Sequence, residues 1–127
     1  MGGGLSRRGY GKRGLAFCKG LYVERESKRI FDELGEENYL IGIGDRTRLA
    51  ERIAHYQCEL IALHPFYELN GRIVRLFFDL IAVKNGFLPI DYSEHSPEEY
   101  IKASIECVQR ADCSKLKKII FDGLERK

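Results

Sequence analysis

The 127-residue chain has little net charge, no C-x-x-C pair and no long apolar run. A formal net charge of +2 at pH 7 is too small to indicate nucleic-acid binding by itself. The longest apolar runs fall far short of a membrane span, and no apolar segment follows the basic, glycine-rich start. We therefore expect neither a membrane anchor, a signal peptide nor a nucleic-acid partner. Length and composition fit one globular domain with one core.

The cysteines are scattered along the chain, at Cys18, Cys58, Cys107 and Cys113. Without a C-x-x-C pair they do not indicate a structural zinc site. Most of them lie in helical patterns or beside apolar residues, where a free cysteine behaves as a small hydrophobe. We therefore expect reduced thiols in a cytoplasmic protein.

Two segments are predicted at the start of the chain. Residues 1–13 are rich in glycine, arginine and lysine, which predicts a flexible, solvated start of the kind left by a fragment or a replaced N-terminus. Residues 14–127 are predicted to form a single domain. Within it, the short mixed stretch near residues 14–23 gives a weak signal for a small β-hairpin.

The spacing of apolar residues predicts a mainly α fold. Helices are expected over residues 24–40, 46–63, 73–83 and 97–109, with a last helix after residue 112. Asp45, Ser96 and Asp112 are the predicted N-caps, and Glu99 completes a capping box with Ser96. Asn85-Gly86 predicts the end of the third helix.

Burial within two of these helices also follows from the pattern. The third helix is apolar around most of its circumference, which predicts a position at the centre of the domain. The fourth helix is expected to bury Ile101, Ile105 and Val108, which recur at helical spacing.

Residues 64–75, His-Pro-Phe-Tyr-Glu-Leu-Asn-Gly-Arg-Ile-Val-Arg, concentrate the chemistry of the chain between two predicted helices. The free amides at a helix N-terminus bind anions, and arginine matches phosphate oxygens. Arg72 and Arg75 share a helix face near that end. Glu68 is a candidate Mg²⁺ ligand beside substrate phosphates, and His64 is a candidate general base.

Each of these residues has an ordinary alternative when it is taken alone. His64 then caps or packs a helix end, Glu68 is a solvated charge, and Asn70-Gly71 is a turn. The joint spacing favours a site in which a hydroxyl attacks a Mg²⁺-nucleotide phosphate.

The 64–75 run resembles the signature of the Fic domain family, H-x-F-x-[D/E]-G-N-G-R-x-x-R. The matching positions are His64, Phe66, Glu68, Asn70, Gly71, Arg72 and Arg75. The resemblance implies a Fic-type helical bundle with a small β-hairpin flap, here Leu15, Ala16 and Phe17, which would dock an extended stretch of a target protein by strand addition.

The resemblance also implies a function, which is transfer of AMP from ATP to a Ser, Thr or Tyr hydroxyl of a target protein. His64 would then be the general base, and Glu68 would hold Mg²⁺. Asn70, Gly71 and Arg72 would form the anion hole, and Arg75 would bind the outer phosphate. Related kinases carry lysine at the position of Gly71, so glycine favours nucleotidyl transfer.

Leu69 stands where the family usually has glycine, and it motivates a second interpretation. Leucine resists a positive φ and crowds a phosphate. The alternative function is therefore a catalytically impaired nucleotide-binding or interaction module of the same fold. Residues 47–52 match the family's inhibitory motif only in part, so inhibition is expected from a partner in trans or from a further segment.

Overall fold

The computed structural model describes the backbone of residues 8–63 and 71–127, and the side chains of residues 21–63 and 75–127. Within these ranges the chain forms five α-helices, which are α1 Arg8–Glu36, α2 Arg46–Ala62, α3 Gly71–Lys84, α4 Pro97–Arg110 and α5 Ser114–Gly123. Short 3₁₀ turns lie at Asn38–Leu40 and Tyr92–Glu94. The mainly α prediction is confirmed. Helices α2 to α5 appear close to their expected bounds, whereas α1 spans Arg8–Glu36 in place of the predicted residues 24–40.

The predicted hairpin near residues 14–23 is wrong, because this stretch is part of α1. Leu15, Ala16 and Phe17 are therefore helical and do not form a β flap. The stretch lacks the alternation and the two-residue turn of a hairpin, while leucine and alanine are strong helix formers. Helix α1 also includes residues 8–13, which we had expected to be flexible.

Helix α2 forms the centre of the bundle and packs against each of the other four helices. Its inner surface is fully buried at Leu49, Ala50, Ile53 and Ala54. The core around it includes Ile30 and Leu34 of α1, Phe78 of α3, Ala103 of α4, and Leu116 and Ile120 of α5. Complete burial of one leucine or isoleucine side chain contributes roughly 1.5–3 kcal/mol, so this shared core holds the helices that flank residues 64–70.

Three of the predicted helix boundaries are confirmed by their local geometry. Asp45 caps α2 by accepting a hydrogen bond from the Arg48 amide at 2.8 Å. Ser96 and Glu99 form the predicted capping box of α4. Gly86 adopts a φ of +88°, which glycine reaches without strain, just after α3 ends.

The cap of α5 differs from the prediction. Cys113 is the N-cap residue and makes no side-chain cap, while the Asp112 carboxylate accepts a 2.9 Å hydrogen bond from the Ser114 amide. This is the turn that an aspartate forms with the backbone two residues further on. The helix therefore starts one residue later than an Asp112 cap requires.

Two predictions about burial are wrong. On α3, Leu76 is 59% exposed and Leu80 is 57% exposed, so this helix is not buried all round. On α4, Ile101, Ile105 and Val108 are exposed, whereas Ala103 and Cys107 face the core. Small residues allow α4 to lie close to α2, and that packing decides which face turns inward.

The prediction of four reduced cysteines is also wrong. Cys58 of α2 and Cys107 of α4 form a disulfide, with their Cα atoms 5.2 Å apart. Cys113 has a free thiol. The two half-cystines are 49 residues apart in sequence, and only the packing of α2 on α4 brings them together.

The loop after α3 is tied to the end of α5 and to the residues that follow it. The Leu88 amide donates to the Glu125 carbonyl at 2.7 Å, and the Asp91 amide donates to the Gly123 carbonyl at 2.9 Å. A Cβ atom at Gly123 would overlap the Asp91 carbonyl oxygen. This loop leads directly into Tyr92. None of the helices in the described ranges combines the length and the apolar character needed to cross a bilayer.

Candidate functional site

The 64–75 run begins after α2 and ends in the second turn of α3. Residues His64, Phe66, Glu68, Leu69 and Asn70 lie outside the described residues, so their proposed roles stay predictions. Gly71 and Arg72 are the first residues of α3. The amides of a first helical turn have no intrahelical acceptors, which is the feature that an anion hole at this position needs.

Arg75 is the residue of the run whose side chain the structure describes. It lies on the second turn of α3, and its guanidinium carbon is 5.6 Å from the ring centre of Tyr92 and 5.5 Å from that of Tyr100. Within the described residues it forms no ion pair with a carboxylate. Its contacts there are with ring faces, and such contacts leave guanidinium N–H groups available for an anion.

A pocket opens beside Arg75, between the start of α3 and the start of α4. Its volume is about 650 Å³, and Arg75, Tyr92, Tyr100, Ser96 and Ile101 are among the residues that line it. Ligand pockets in proteins commonly have volumes of about 300–1,000 Å³ and combine apolar walls with a few polar groups. This pocket therefore offers one cation and two aromatic rings to a ligand.

Gln57 of α2 lies beneath the two tyrosines and is completely buried. Its amide nitrogen donates to the Tyr92 hydroxyl at 3.2 Å, and its amide oxygen accepts from the Tyr100 hydroxyl at 3.4 Å. Burial raises the pKa of both tyrosines. Gln57 thus connects both pocket walls to the central helix. The sequence analysis missed it, although a glutamine between buried positions of α2 is the signal that could have revealed it.

Asp79 lies one helical turn after Arg75 on α3. Its carboxylate accepts a 3.1 Å hydrogen bond from the Ile90 amide, which attaches the loop after α3 to the helix. Burial raises the pKa of Asp79, while the hydrogen bond from Ile90 and the charge of Arg75 act in the opposite direction. Asp79 therefore holds the loop that carries Tyr92.

His95 lies on the rim of the same pocket, between two carboxylates. Its Nε2 is 2.7 Å from Asp122 of α5, and its Nδ1 is 3.3 Å from Glu99 of α4. Hydrogen bonding first to Asp122 and then to Glu99 raises the pKa of His95 above its ordinary value. In its charged form the imidazole donates from both nitrogens and joins α4 to α5 beside the pocket.

The partial inhibitory motif at residues 47–52 lies within α2, as expected. Arg52 donates to the Glu37 carboxylate through Nε at 3.0 Å and through a terminal nitrogen at 2.5 Å, and Tyr56 donates to the same carboxylate. Hydrogen bonding to Arg52 lowers the pKa of Glu37, and burial raises the pKa of Tyr56 to about 12. Arg52 therefore attaches the Asn38–Leu40 turn to α2.

The sequence and the fold are similar to those of known proteins. The profile of the Fic/DOC family matches residues 2–82, a stretch that includes the whole 64–75 run. The chain therefore belongs to the Fic/DOC family, and the resemblance stated from the signature is confirmed.

Curated relatives carry related names. The "Probable protein adenylyltransferase Fic" of Escherichia coli K12 is 39% identical over 71 residues, which is 56% of this chain and 35% of that protein. The "Protein adenylyltransferase VbhT" of Bartonella schoenbuchensis is 37% identical over 84 residues, which is 66% of this chain and 17% of that protein. The chain thus spans well under two thirds of the length of either relative.

Solved structures share the fold. The N-terminal Fic domain of a cell filamentation protein from Bartonella quintana aligns with a TM-score of 0.73 at 30% identity, over 83% of this chain and 47% of that one. The BepC protein of Bartonella tribocorum, solved with bound AMPPNP, aligns with a TM-score of 0.72 at 26% identity, over 83% of this chain and 49% of that one.

Proposed function

We propose that this chain carries the active site of a protein adenylyltransferase, which transfers AMP from Mg²⁺-ATP to a Ser, Thr or Tyr hydroxyl of a target protein. The observation that carries the proposal is Arg75, which lines a pocket of about 650 Å³ at the end of the signature run. The names of the curated relatives support the same activity. An ATP analogue bound to a structural neighbour supports the nucleotide.

In the proposed reaction, His64 accepts the proton of the target hydroxyl. The hydroxyl oxygen then forms a bond to the α-phosphorus, while the bond from that phosphorus to the bridging oxygen breaks and pyrophosphate leaves. The amides at the start of α3 and the Arg72 side chain stabilise the charge that develops on the α-phosphate. Arg75 binds the outer phosphate and so orients the leaving group.

A magnesium ion fits the donors of this proposed site, because one carboxylate together with substrate phosphates is its common ligand set. Glu68 would hold the ion, which would neutralise phosphate charge in the bound nucleotide. The target is proposed to be a protein, and control by a partner in trans stays a proposal. Target docking on a β flap is not proposed, because Leu15, Ala16 and Phe17 are helical.

A cytoplasmic location is proposed from the need for ATP. The argument from reduced thiols no longer supports this location, because Cys58 and Cys107 form a disulfide.

The test is transfer of label from α-labelled ATP to protein, in the presence of Mg²⁺ and candidate target proteins. We expect His64→Ala to reduce the transfer rate by about 100-fold or more, which is the scale of general-base catalysis. Glu24→Gln, a change at an exposed position of α1, is the matched control and should retain the rate. Equal transfer by the parent chain and His64→Ala would contradict the proposed mechanism.

Leu69 supports the alternative function, a module that binds nucleotide and no longer transfers it. Calorimetry for Mg²⁺-ATP binding, together with the label-transfer assay for turnover, distinguishes the two proposals. Binding of Mg²⁺-ATP without turnover in the parent chain, with turnover restored by Leu69→Gly, would favour the module. Turnover in the parent chain favours the transferase.

A further inference from the structure

A group of metal-ligating side chains lies between α1 and α2. Glu33 belongs to α1, while His55 and Glu59 are one turn apart on α2. One ligand atom from each of the three residues lies within 4.8 Å of the others. Side chains at positions i and i+4 share a helix face, so α2 presents its imidazole and carboxylate together toward α1.

One carboxylate oxygen in this group accepts no hydrogen bond in the described part of the chain. Glu59 Oε2 is buried and accepts no hydrogen bond there, although it lies 3.5 Å from His55 Nε2. A buried carboxylate oxygen without a partner is costly, and native structures usually satisfy such an atom with a hydrogen bond, water or an ion. Glu59 is therefore oriented for a ligand beside His55.

Arg29 binds the same carboxylates and leaves this oxygen open. Its guanidinium nitrogens contact Glu33 Oε2 at 2.9 Å and Glu59 Oε1 at 3.1 Å. A carboxylate has two oxygens, and in metal sites the ligating carboxylates are commonly hydrogen-bonded through the other one. Arg29 thus takes the position of an outer partner that orients Glu33 and Glu59.

The local charge favours a dication. Arg29 also contacts Glu26 at 2.9 Å, so its one positive charge is surrounded by three carboxylates. These four residues leave two negative charges uncompensated among themselves. A cavity of about 260 Å³, lined in part by Glu26, Arg29, His55 and Glu59, lies next to the group and gives room for a bound water.

We propose that Glu33, His55 and Glu59 form a Zn²⁺ site with a fourth position open to water. Three protein ligands drawn from histidine and glutamate, with one open position, are a common zinc arrangement. Zinc–ligand bonds of about 2.0–2.2 Å place the ligand atoms closer together than they are here, so zinc binding would require the partly exposed Glu33 side chain to rotate toward His55 and Glu59. None of these three residues is among those proposed to hold Mg²⁺ and nucleotide.

The test is titration of the chain with Zn²⁺ alone in competition with a chromophoric chelator. The parent for this test carries His64→Ala, so that the signature run supplies no imidazole. We expect one Zn²⁺ per chain, with affinity weakened about tenfold or more by His55→Ala and by Glu59→Gln. His95→Asn, which removes an imidazole that contacts Glu99 and Asp122 and not the proposed ligands, should bind Zn²⁺ like the parent.

A second measurement needs no change at the site. The imidazole nitrogen resonances of His55 should shift as Zn²⁺ is added, and those of His95 should not. The proposal would be overturned if both site variants bound Zn²⁺ with the affinity of the parent. It would also be overturned if one equivalent of Zn²⁺ left the His55 resonances unshifted. Neither outcome would bear on adenylyl transfer, because the test uses no ATP.

Discussion

Two arginines of this chain sit in opposite surroundings. Arg29 is held by the carboxylates of Glu26, Glu33 and Glu59, and hydrogen bonds to them raise its pKa. Arg75 contacts the rings of Tyr92 and Tyr100, and within the described residues it has no ion-pair partner. The first arginine is enclosed by acceptors of its own chain, while the second faces a pocket large enough for a ligand.

The difference shows how a protein can reserve a cation for a ligand. Carboxylates around an arginine compete with any external anion, whereas aromatic faces hold the guanidinium plane and leave its edge open. The tyrosine hydroxyls are in turn satisfied by Gln57. The two tyrosine hydroxyls are therefore paired with Gln57 and not with Arg75, whose charge is free for the phosphate contact that we propose.

The largest expected effect comes from exchanging each arginine for alanine. Arg75→Ala should weaken Mg²⁺-ATP binding by about 10-fold to 100-fold, because charge-assisted hydrogen bonds contribute about 1.5–3 kcal/mol. Arg29→Ala should leave ATP binding unchanged, since its donors already serve carboxylates. Isothermal titration calorimetry measures both. Equal losses in the two variants would end the distinction drawn between these arginines.

A smaller effect is expected when the support of the tyrosines is removed. Gln57→Leu keeps the approximate volume and leaves two partly buried hydroxyls without their partner, so the free energy of unfolding should fall by about 1–3 kcal/mol. ATP binding should weaken as the rings shift. Urea unfolding and calorimetry provide the measurements, with Gln109→Leu at an exposed site of α4 as the matched control. Wild-type stability and affinity in Gln57→Leu would show that the network is dispensable.

The smallest effect concerns pH at the pocket rim. The pKa of His95 is raised in the folded chain above its ordinary value of 6.5, chiefly by the hydrogen bond to Asp122. The stabilisation is therefore complete below about pH 6.5 and is lost as the pH rises through the higher folded-state pKa. We expect the urea concentration at the midpoint of unfolding to be lower at pH 8 than at pH 6. The difference between the two pH values should be smaller in His95→Asn. Identical slopes in the two proteins would rule out this contribution of His95.

Much of the fold follows from local chemistry in the sequence. Asp45, Ser96, Glu99 and Gly86 act at short range, and the helix boundaries they predict are confirmed. Burial depends on which helices meet, and that is why Ile101 and Leu76 were placed in the core when the structure leaves them exposed. The prediction of a hairpin is wrong for a related reason. The local pattern near residues 14–23 is weak, and this stretch belongs to the continuous helix α1.

The candidate site likewise has features that the sequence predicts and features that depend on long-range packing. The 64–75 run identified the family by residue types at fixed spacing, and this was confirmed without any knowledge of packing. Residue spacing could not predict the role of Gln57 or the Cys58–Cys107 disulfide. Each depends on contacts between α2 and residues at least 35 positions away. Sequence spacing carries no direct record of such contacts.

Gly123 gives the site a dependence on a residue far outside the signature. Its lack of a side chain allows the end of α5 to lie directly on the backbone of Asp91, the residue before the pocket tyrosine Tyr92. A residue with a side chain at this position would push the two backbones apart. Any redesign of the last helix, or any chimera that joins a different one to this bundle, must keep glycine there if the wall of the pocket beside Arg75 is to stay in place.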